Sequence, residues 1–289
     1  CIRDRALVEP QGGLLVQTPV YPPILHAAGD VGVQPRQSRL RQDDQGVYHV
    51  DWEDFRAAAG QDARMFLLCN PHNPIGRVFT ADELGRMAEF CLERDLWIVS
   101  DEIHCDLVYE GARHIPIASL DPDISRRTIT LMAPSKTFNL AGLKVAFAVV
   151  QDAELHRRYR KQIRLEHDWV NLLAMAAAQA AYRDGDEWLD QLMSYLAGNR
   201  DFLDDFVRRE LPGISLNCPE GTYLAWLDCR SAVIPGKPAE FFLKHGRVAF
   251  NDGATFGPGG EGFVRLNFGC PRSLLEEGLR RMKKALDYS

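Results

Sequence analysis

The sequence predicts an α/β protein with two domains: a large domain on a mostly parallel sheet and a smaller α+β domain at the carboxyl end. The 289 residues are 46% hydrophobic, which is enough to bury a large core, and this length favours two domains, residues 1–192 and 193–289. Apolar runs at residues 65–69 and 97–100 have the composition of buried strands, and a segment with helical spacing of apolar residues lies between them. Strand, helix and strand in this order form a right-handed parallel crossover, which places both strands in one sheet.

The other elements of the large domain follow from local patterns. A first strand is expected at residues 14–17, and residues 30–50 are polar and are expected to be irregular up to a short helix that begins near Asp51. Thr80 and Glu83 form a capping box, which starts the helix between the two buried strands.

Two further strands are expected at residues 128–132 and 145–150. The second follows the first too closely for a helical crossover, so we expect this pair to be antiparallel. Helices are predicted over most of residues 152–210. The small domain is then predicted to contain strands at residues 223–227, 248–250 and 263–268 and a closing helix at residues 273–286.

Lys136 is the first candidate for chemistry. It lies in the loop Ala133-Pro134-Ser135-Lys136-Thr137, directly after the buried strand at residues 128–132. An amine in a dry pocket is desolvated, which lowers its pKa and makes it nucleophilic toward an aldehyde. For this lysine taken alone, a solvated loop lysine is the alternative.

Two more polar side chains follow strands in the same way. Asn73 comes after the strand at residues 65–69, and Asp101 comes directly after the strand at residues 97–100. In an open α/β sheet, ligands bind beyond the carboxyl ends of the strands. We therefore expect Asn73, Asp101 and Lys136 to converge at one site.

The three residues suit pyridoxal phosphate. Lys136 would form a Schiff base with the cofactor aldehyde, and Asp101 would pair with the pyridine nitrogen and keep it protonated. Asn73 would hydrogen-bond the phenolic oxygen of the cofactor.

With these motifs in place, the chain resembles the fold-type I pyridoxal-phosphate enzymes of the class I/II aminotransferase superfamily, and within them the MalY/PatB group of cystathionine β-lyase-like C–S lyases. The resemblance implies the PLP-dependent transferase (aspartate aminotransferase-like) fold. The matching stretches occur in family order along the chain, at residues 17–23, 70–78, 100–109, 114–116, 133–143, 219–224 and 263–272.

The resemblance implies further site residues. Tyr21 matches the aromatic residue that stacks on the cofactor ring, although without the family it is a tyrosine in a proline-rich turn. Arg265 matches the arginine that binds the substrate α-carboxylate, where its planar guanidinium gives two parallel hydrogen bonds. Without the family, Arg265 is an outward residue of an alternating strand.

Three more residues are implied at the cofactor. Lys144 occupies the place where many aminotransferases have an arginine on the cofactor phosphate, and lysine can bind phosphate as a point charge. Ser135 is a further phosphate ligand by adjacency. His104 stands where many aminotransferases have a tyrosine, and histidine at this position is typical of the MalY/PatB group.

The resemblance also bears on the amino terminus and on assembly. Relatives carry a longer amino-terminal portion, whose helix end binds the cofactor phosphate, so we expect the given chain to lack the amino-terminal part of the family fold. Because relatives build each site from two subunits, a homodimer is expected, with Asn171 and its surroundings as the candidate seam.

The expected reaction is α,β-elimination on an L-amino acid that carries sulfur on its β-carbon, such as L-cystathionine. Lys136 removes the α-proton, and the products are a thiol, pyruvate and ammonia. Two alternatives stay open: an aminotransferase that uses the same residues, and a pyridoxal-phosphate-fold protein that binds ligands or partners without turnover.

Composition argues against several other classes. The formal charge of −6 and the lack of a basic stripe exclude an electrostatic footprint for nucleic acid, and no apolar run approaches a membrane span. The seven cysteines are scattered without a Cys-x-x-Cys pair, which is typical of a reducing compartment, and neither they nor the eight histidines indicate a metal site. We therefore expect a cytoplasmic enzyme. The glycines of residues 257–262 precede a strand, so we expect a loop there and not a dinucleotide site.

Overall fold

A computed structural model describes residues 12–166 and 169–287 of the chain. In these residues the strands form a six-stranded sheet, a four-stranded sheet and a two-stranded hairpin. The strands are β1 (Gly13–Thr18), β2 (Gln34–Arg39), β3 (Arg41–Gln42), β4 (Tyr48–His49), β5 (Ala63–Cys69), β6 (Trp97–Asp101), β7 (Thr128–Met132), β8 (Phe147–Val149), β9 (Ser215–Leu216), β10 (Leu224–Asp228), β11 (Asn251–Asp252) and β12 (Phe263–Asn267).

The α-helices cover both faces of the large sheet and one side of the small one. They are α1 (Pro22–Leu25), α2 (Ala27–Val31), α3 (Trp52–Ala59), α4 (Ala81–Glu93), α5 (Pro122–Arg126), α6 (Pro134–Thr137), α7 (Ala153–Glu166), α8 (Leu172–Asp184), α9 (Asp186–Glu210), α10 (Pro238–Phe241) and α11 (Arg272–Asp287). None of the helices within residues 12–166 and 169–287 has the length and apolar character needed to cross a membrane.

The large sheet has the strand order β2-β1-β5-β6-β7-β8. All neighbouring pairs are parallel except β7 and β8, which are antiparallel. This confirms both the parallel crossover through α4 and the antiparallel return after β7. The small sheet, in the order β11-β12-β10-β9, is antiparallel throughout. The chain is therefore α/β with a mostly parallel large sheet, as predicted.

The core consists of three clusters of buried side chains. Alternate residues of β5 face opposite sides of the sheet: Phe66 and Leu68 pack with α3 and α4, whereas Met65 and Leu67 pack with α2 and α7. Burial on both faces explains why β5 is apolar at nearly every position. A third cluster joins α9, α11 and the small sheet. The domain boundary at residue 192 stays a prediction, and it falls inside α9.

Two sequence predictions were wrong. Residues 30–50 were expected to be irregular, but β2 pairs with β1 at the edge of the large sheet. An edge strand tolerates proline and polar side chains, so the Gln34–Arg39 sequence lacks the usual strand signal. The strand predicted at residues 248–250 is absent from the described chain, and β11 follows at Asn251–Asp252 instead. A π-helix occupies Phe242–Gly246, so the next strand begins several residues later than predicted.

The two sheets are joined through the segment at residues 219–222. The backbone N–H groups of Glu220 and Gly221 donate to the Gly76 carbonyl oxygen, at 2.9 and 3.0 Å. The Glu220 carboxylate accepts from Arg77 Nε at 3.1 Å and from the Val78 N–H at 2.7 Å. On its other side, Thr222 N–H donates to the Leu107 carbonyl oxygen at 2.7 Å. The segment thus fixes the small domain against two loops of the large sheet.

Gly76 is the point of closest approach in this junction. A Cβ atom at Gly76 would lie 2.4 Å from Pro219 Cβ, and the residue has a φ of 73°. We predict that Gly76→Ala lowers the free energy of unfolding by about 3 kcal/mol, from overpacking and left-handed strain together. The measurement is denaturant unfolding of the purified variant.

Gly32→Ala is the matched control for this substitution. Gly32 has nearly the same φ, 74°, but a Cβ there would meet nothing within 4 Å. Only the backbone strain applies, so the expected loss is about 1 kcal/mol. Equal losses in the two variants would show that the Pro219 contact contributes nothing.

Candidate active site

Three strands of the large sheet end at the same edge. Cys69 of β5 pairs with Asp101 of β6, and Asp101 pairs with Leu131 of β7. The Asn70 N–H donates to the Asp101 carbonyl oxygen at 3.0 Å, and the Glu102 N–H donates to the Leu131 carbonyl oxygen at 2.9 Å. The segments that carry Asn73, Asp101 and Lys136 therefore leave the sheet side by side, as the sequence predicted.

Lys136 lies in α6, a single helical turn. Its start is set by Pro134 at the first position, where the missing N–H costs nothing, and the Phe138 N–H closes the turn on the Pro134 carbonyl oxygen at 2.9 Å. The Phe138 ring packs against Tyr182 and Trp188, each at a centroid distance of 5.7 Å. The lysine is half-buried, so its turn is held by packing rather than left as a solvated loop.

Arg265 reaches this edge from β12 of the small sheet. Its Nη1 donates to Asn73 Oδ1 at 2.8 Å, and its Nη2 donates to Asn251 Oδ1 at 2.9 Å. Because a guanidinium has only donors, each asparagine must turn its oxygen toward Arg265. The amide N–H₂ group of Asn73 is then left to donate to another acceptor, as an anionic phenolic oxygen would require.

His104 is a buried histidine three residues after Asp101. Burial lowers its pKa to about 3, and the positive charges of Lys136 and Arg265 act in the same direction. Its ring meets the Tyr223 ring edge-on at a centroid distance of 6.1 Å. Its Nδ1 is buried and has no hydrogen-bond partner among the described residues. His104 is therefore a buried, neutral imidazole whose Nδ1 can accept a hydrogen bond from a ligand or donate one to it.

Asp101 opens onto a cavity of about 710 Å³ that Ala133 and Lys144 also line. The Ile103 N–H donates to Asp101 Oδ1 at 3.3 Å. Lys144 is exposed and has left-handed backbone, with a φ of 54°. The structure thus brings the carboxylate and a second lysine to the same cavity.

Tyr21 and Ser135 lie beside these groups. The Tyr21 N–H donates to the Asn73 carbonyl oxygen at 3.0 Å, and its ring centroid is 6.0 Å from Arg265 Cζ. The Tyr21 side chain is 39% exposed, so one part of its ring is open to a ligand. Ser135 precedes Lys136 in α6. The structure thus places Tyr21 beside Asn73 and Arg265, whereas Ser135 is placed only by its position next to Lys136.

Sequence reasoning missed the partners of Arg265. Asn251 escaped notice because the strand that carries it was placed at residues 248–250, three residues too early. Phe256 lies under the guanidinium, with its ring centroid 4.9 Å from Arg265 Cζ. Tyr223 lies in one of the matching stretches, but its sequence gives no sign that the ring meets His104.

A buried carboxylate next to Asp101 was also missed. Glu102 is 1% exposed, and its carboxylate accepts from Ser100 Oγ at 2.8 Å and pairs with His114 Nε2 at 2.8 Å. Ser100 lies in β6 and Glu102 directly follows the strand, so the two side chains share one face while Asp101 points to the other. The pair ties the end of β6 to the segment that carries His114.

Known proteins with this architecture share the same family. The family model "Aminotransferase class I and II" matches residues 3–282. Cystathionine β-lyase PatB of Bacillus subtilis is 38% identical over 285 residues, which are 98% of this chain and 73% of that protein.

Two solved structures match with similar coverage. The crystal structure of OvoB has a TM-score of 0.94 and 43% identity, over 100% of this chain and 75% of that one. The structure of cystalysin from Treponema denticola, which contains a pyridoxal 5′-phosphate cofactor, has a TM-score of 0.95 and 32% identity, over 99% of this chain and 73% of that one. The chain belongs to the class I and II aminotransferase family, and within it to the MalY/PatB group.

Proposed function

We propose that this chain is a pyridoxal-phosphate-dependent C–S β-lyase, which cleaves L-cystathionine or a related S-substituted L-cysteine. The observation that supports the proposal is the 2.8 Å hydrogen bond from Arg265 Nη1 to Asn73 Oδ1, at the edge where the strands that lead to Asn73, Asp101 and Lys136 end side by side. PatB, at 38% identity, is a cystathionine β-lyase, and cystalysin contains pyridoxal phosphate. Similarity to these two proteins favours elimination over other reactions of the family.

The described residues fit the cofactor. A cavity of about 710 Å³ is in the usual range for a small-molecule site, and it joins Asp101 to the cation of Lys144. Two buried nitrogen atoms, His104 Nδ1 and Arg265 Nε, have no hydrogen-bond partner within residues 12–166 and 169–287. Polar atoms of a bound ligand could form these hydrogen bonds. The N–H₂ group of Asn73, whose oxygen accepts from Arg265, adds a donor.

Each residue then has a role in holding cofactor and substrate. Asp101 would accept a hydrogen bond from the pyridine nitrogen, and Lys136 would hold the aldehyde carbon. Asn73 would donate to the phenolic oxygen, while Tyr21 would cover the ring. Ser135 and Lys144 would bind the phosphate. When bound, pyridoxal phosphate accepts the electron pair that the substrate Cα–H bond leaves behind.

The chain's own groups perform the proton transfer. The Arg265 guanidinium binds the substrate α-carboxylate and so fixes which bond on Cα faces Lys136. The Lys136 amine takes the α-proton. The bond between Cβ and sulfur breaks, the thiolate leaves and is protonated, and the three-carbon remainder takes up water to give pyruvate and ammonia. The low pKa of His104 keeps it neutral at pH 7, so it adds no positive charge to that of Arg265.

The proposal extends to assembly and location. We propose a homodimer in the cytoplasm, with the seam around Asn171, which caps α8. Large apolar side chains near Asn171 are exposed to solvent: Trp169, Leu172 and Leu173 are 89, 78 and 77% exposed. Large exposed apolar patches mark interaction sites in soluble proteins.

The primary test is pyruvate formation from L-cystathionine without any keto acid. Many pyruvate molecules per active site, with an equal amount of thiol, are expected for the lyase. At most one equivalent of product, with the cofactor left in its amine form, would identify an aminotransferase. A bound cofactor with no product at all would favour the binding protein.

Lys136→Ala is expected to abolish turnover and the visible absorbance band of bound cofactor. The reason is that no other amine takes its place as both the covalent attachment point and the base. Lys161→Ala, at an exposed position on α7, is the control and should match the parent protein. Turnover that survives in Lys136→Ala would refute the central assignment.

Arg265→Ala is expected to lower kcat/KM for L-cystathionine about 100-fold, from the loss of two charge-assisted hydrogen bonds. The cofactor absorbance should stay in place. Arg86→Ala is the matched control, because Arg86 also lies over an aromatic ring, 3.8 Å from the Trp52 centroid, but on the outer helix α4. The measurement is steady-state kinetics of both variants. An unchanged kcat/KM in Arg265→Ala would refute the role of Arg265 in substrate binding.

A further inference from the structure

A hydrogen bond outside the roles given above joins the lysine turn to the segment that leaves β6. Thr137 directly follows Lys136 and is fully buried. Its hydroxyl donates to Asp106 Oδ2 at 2.7 Å. A carboxylate acceptor makes this bond stronger than one between neutral groups, and its donor end is buried while Asp106 is half-buried.

The lysine turn needs such contacts to keep one orientation. α6 has four residues and is far too short to be stable by itself, so its orientation is set by what surrounds it. On one side, Phe138 packs between Tyr182 and Trp188. These ring contacts pack the carboxyl end of the turn but are not directional. The hydrogen bond from Thr137 to Asp106 adds a directional contact.

Asp106 is itself held in place. The Cys105 thiol donates to Asp106 Oδ1 at 3.5 Å. Burial raises the pKa of Cys105 to about 12, and the Asp106 charge adds to the rise, so the thiol keeps its proton. Burial, with a smaller contribution from the Asp106 charge, also raises the pKa of Tyr182 to about 12.

The hydrogen bond between Thr137 and Asp106 matters because Asp106 is close in sequence to Asp101. Asp106 lies five residues after Asp101, on the segment whose start is fixed by β6. Its bond to Thr137 therefore sets the distance between the groups expected at the two ends of the cofactor ring, the Lys136 amine and the Asp101 carboxylate. An error of 1 Å in such a placement can cost about 100-fold in rate.

We propose that Thr137 and Asp106 are positioning residues, which hold the Lys136 turn so that its amine faces the cofactor aldehyde and then the substrate α-proton. This inference rests on the proposed cofactor, and it concerns the rate at which Lys136 reacts. In cofactor uptake, the Lys136 nitrogen bonds to the aldehyde carbon, and the aldehyde oxygen leaves with two protons as water.

The test compares Thr137→Val with Thr137→Ser in the purified full chain. Valine keeps the shape of threonine and removes the hydroxyl, whereas serine keeps the hydroxyl. We expect Thr137→Val to slow uptake of pyridoxal phosphate by the cofactor-free protein about tenfold, followed by stopped-flow absorbance. It should also lower kcat with little change in KM, and Thr137→Ser should restore both rates. Asp106→Asn, which keeps the shape of the acceptor without its charge, should be intermediate.

Thr128→Val is the matched control. Thr128 lies at the opposite end of β7, is equally buried and donates to the Ile124 carbonyl oxygen at 2.7 Å. It should lower the melting temperature as Thr137→Val does, because each loses one buried hydrogen bond. Its uptake rate and kcat should equal those of the parent protein.

The outcomes separate this inference from the proposed function. Equal uptake rates for Thr137→Val and the parent protein would overturn the positioning role, as would an equal slowing in Thr128→Val. If Thr137→Val does not fold, an Asp106→Asn uptake rate equal to that of the parent protein overturns it. A parent protein that takes up cofactor but forms no pyruvate would refute the lyase alone, while a parent protein that takes up no cofactor would refute both.

Discussion

The structure depends on the short stretch that leaves β6 at residues 101–109. Its first residue, Asp101, is fixed by hydrogen bonds between three neighbouring strands. Glu102 ties it to His114, and Asp106 ties it to the lysine turn. At its far end, Leu107 and Tyr109 bond to the segment that joins the two sheets. Nine residues therefore connect the large sheet, the lysine and the small domain, and a displacement anywhere along them reaches all three.

Arg265 links the small sheet to the large sheet at the candidate active site. Its backbone belongs to the small sheet, yet one of its two hydrogen bonds goes to Asn73 of the large one. In the proposed role, a carboxylate bound by this guanidinium would be held through residues of both sheets. Because the Pro219 segment packs directly on Gly76, the domains already meet closely at this junction. The site is in this respect pre-organised, and less of the binding energy is spent on closing it.

Much of this was visible in the sequence, and the omissions have physical reasons. β5, β6 and β7 are buried on both faces, so their apolar runs were plain, and the polar residues after them had to meet at one edge. β2 was missed because an edge strand carries no apolar pattern. Asn251 was missed because the π-helix at Phe242–Gly246 moves the strand that contains it further along the chain. The bonds of Glu102 to His114 and of Asp106 to Thr137 join residues 12 and 31 positions apart. Local patterns carry no information on such pairs.

The antiparallel pairing of β7 and β8 has a consequence for how this protein can vary. The connection between them leaves and re-enters the sheet at the same edge, and it carries both Lys136 and Lys144. Its two ends are pinned by Met132 and Phe147, which are paired across adjacent strands. An insertion or deletion in it would move the two lysines together and could not be absorbed by either strand. Natural variation in the length of this connection should therefore be rare.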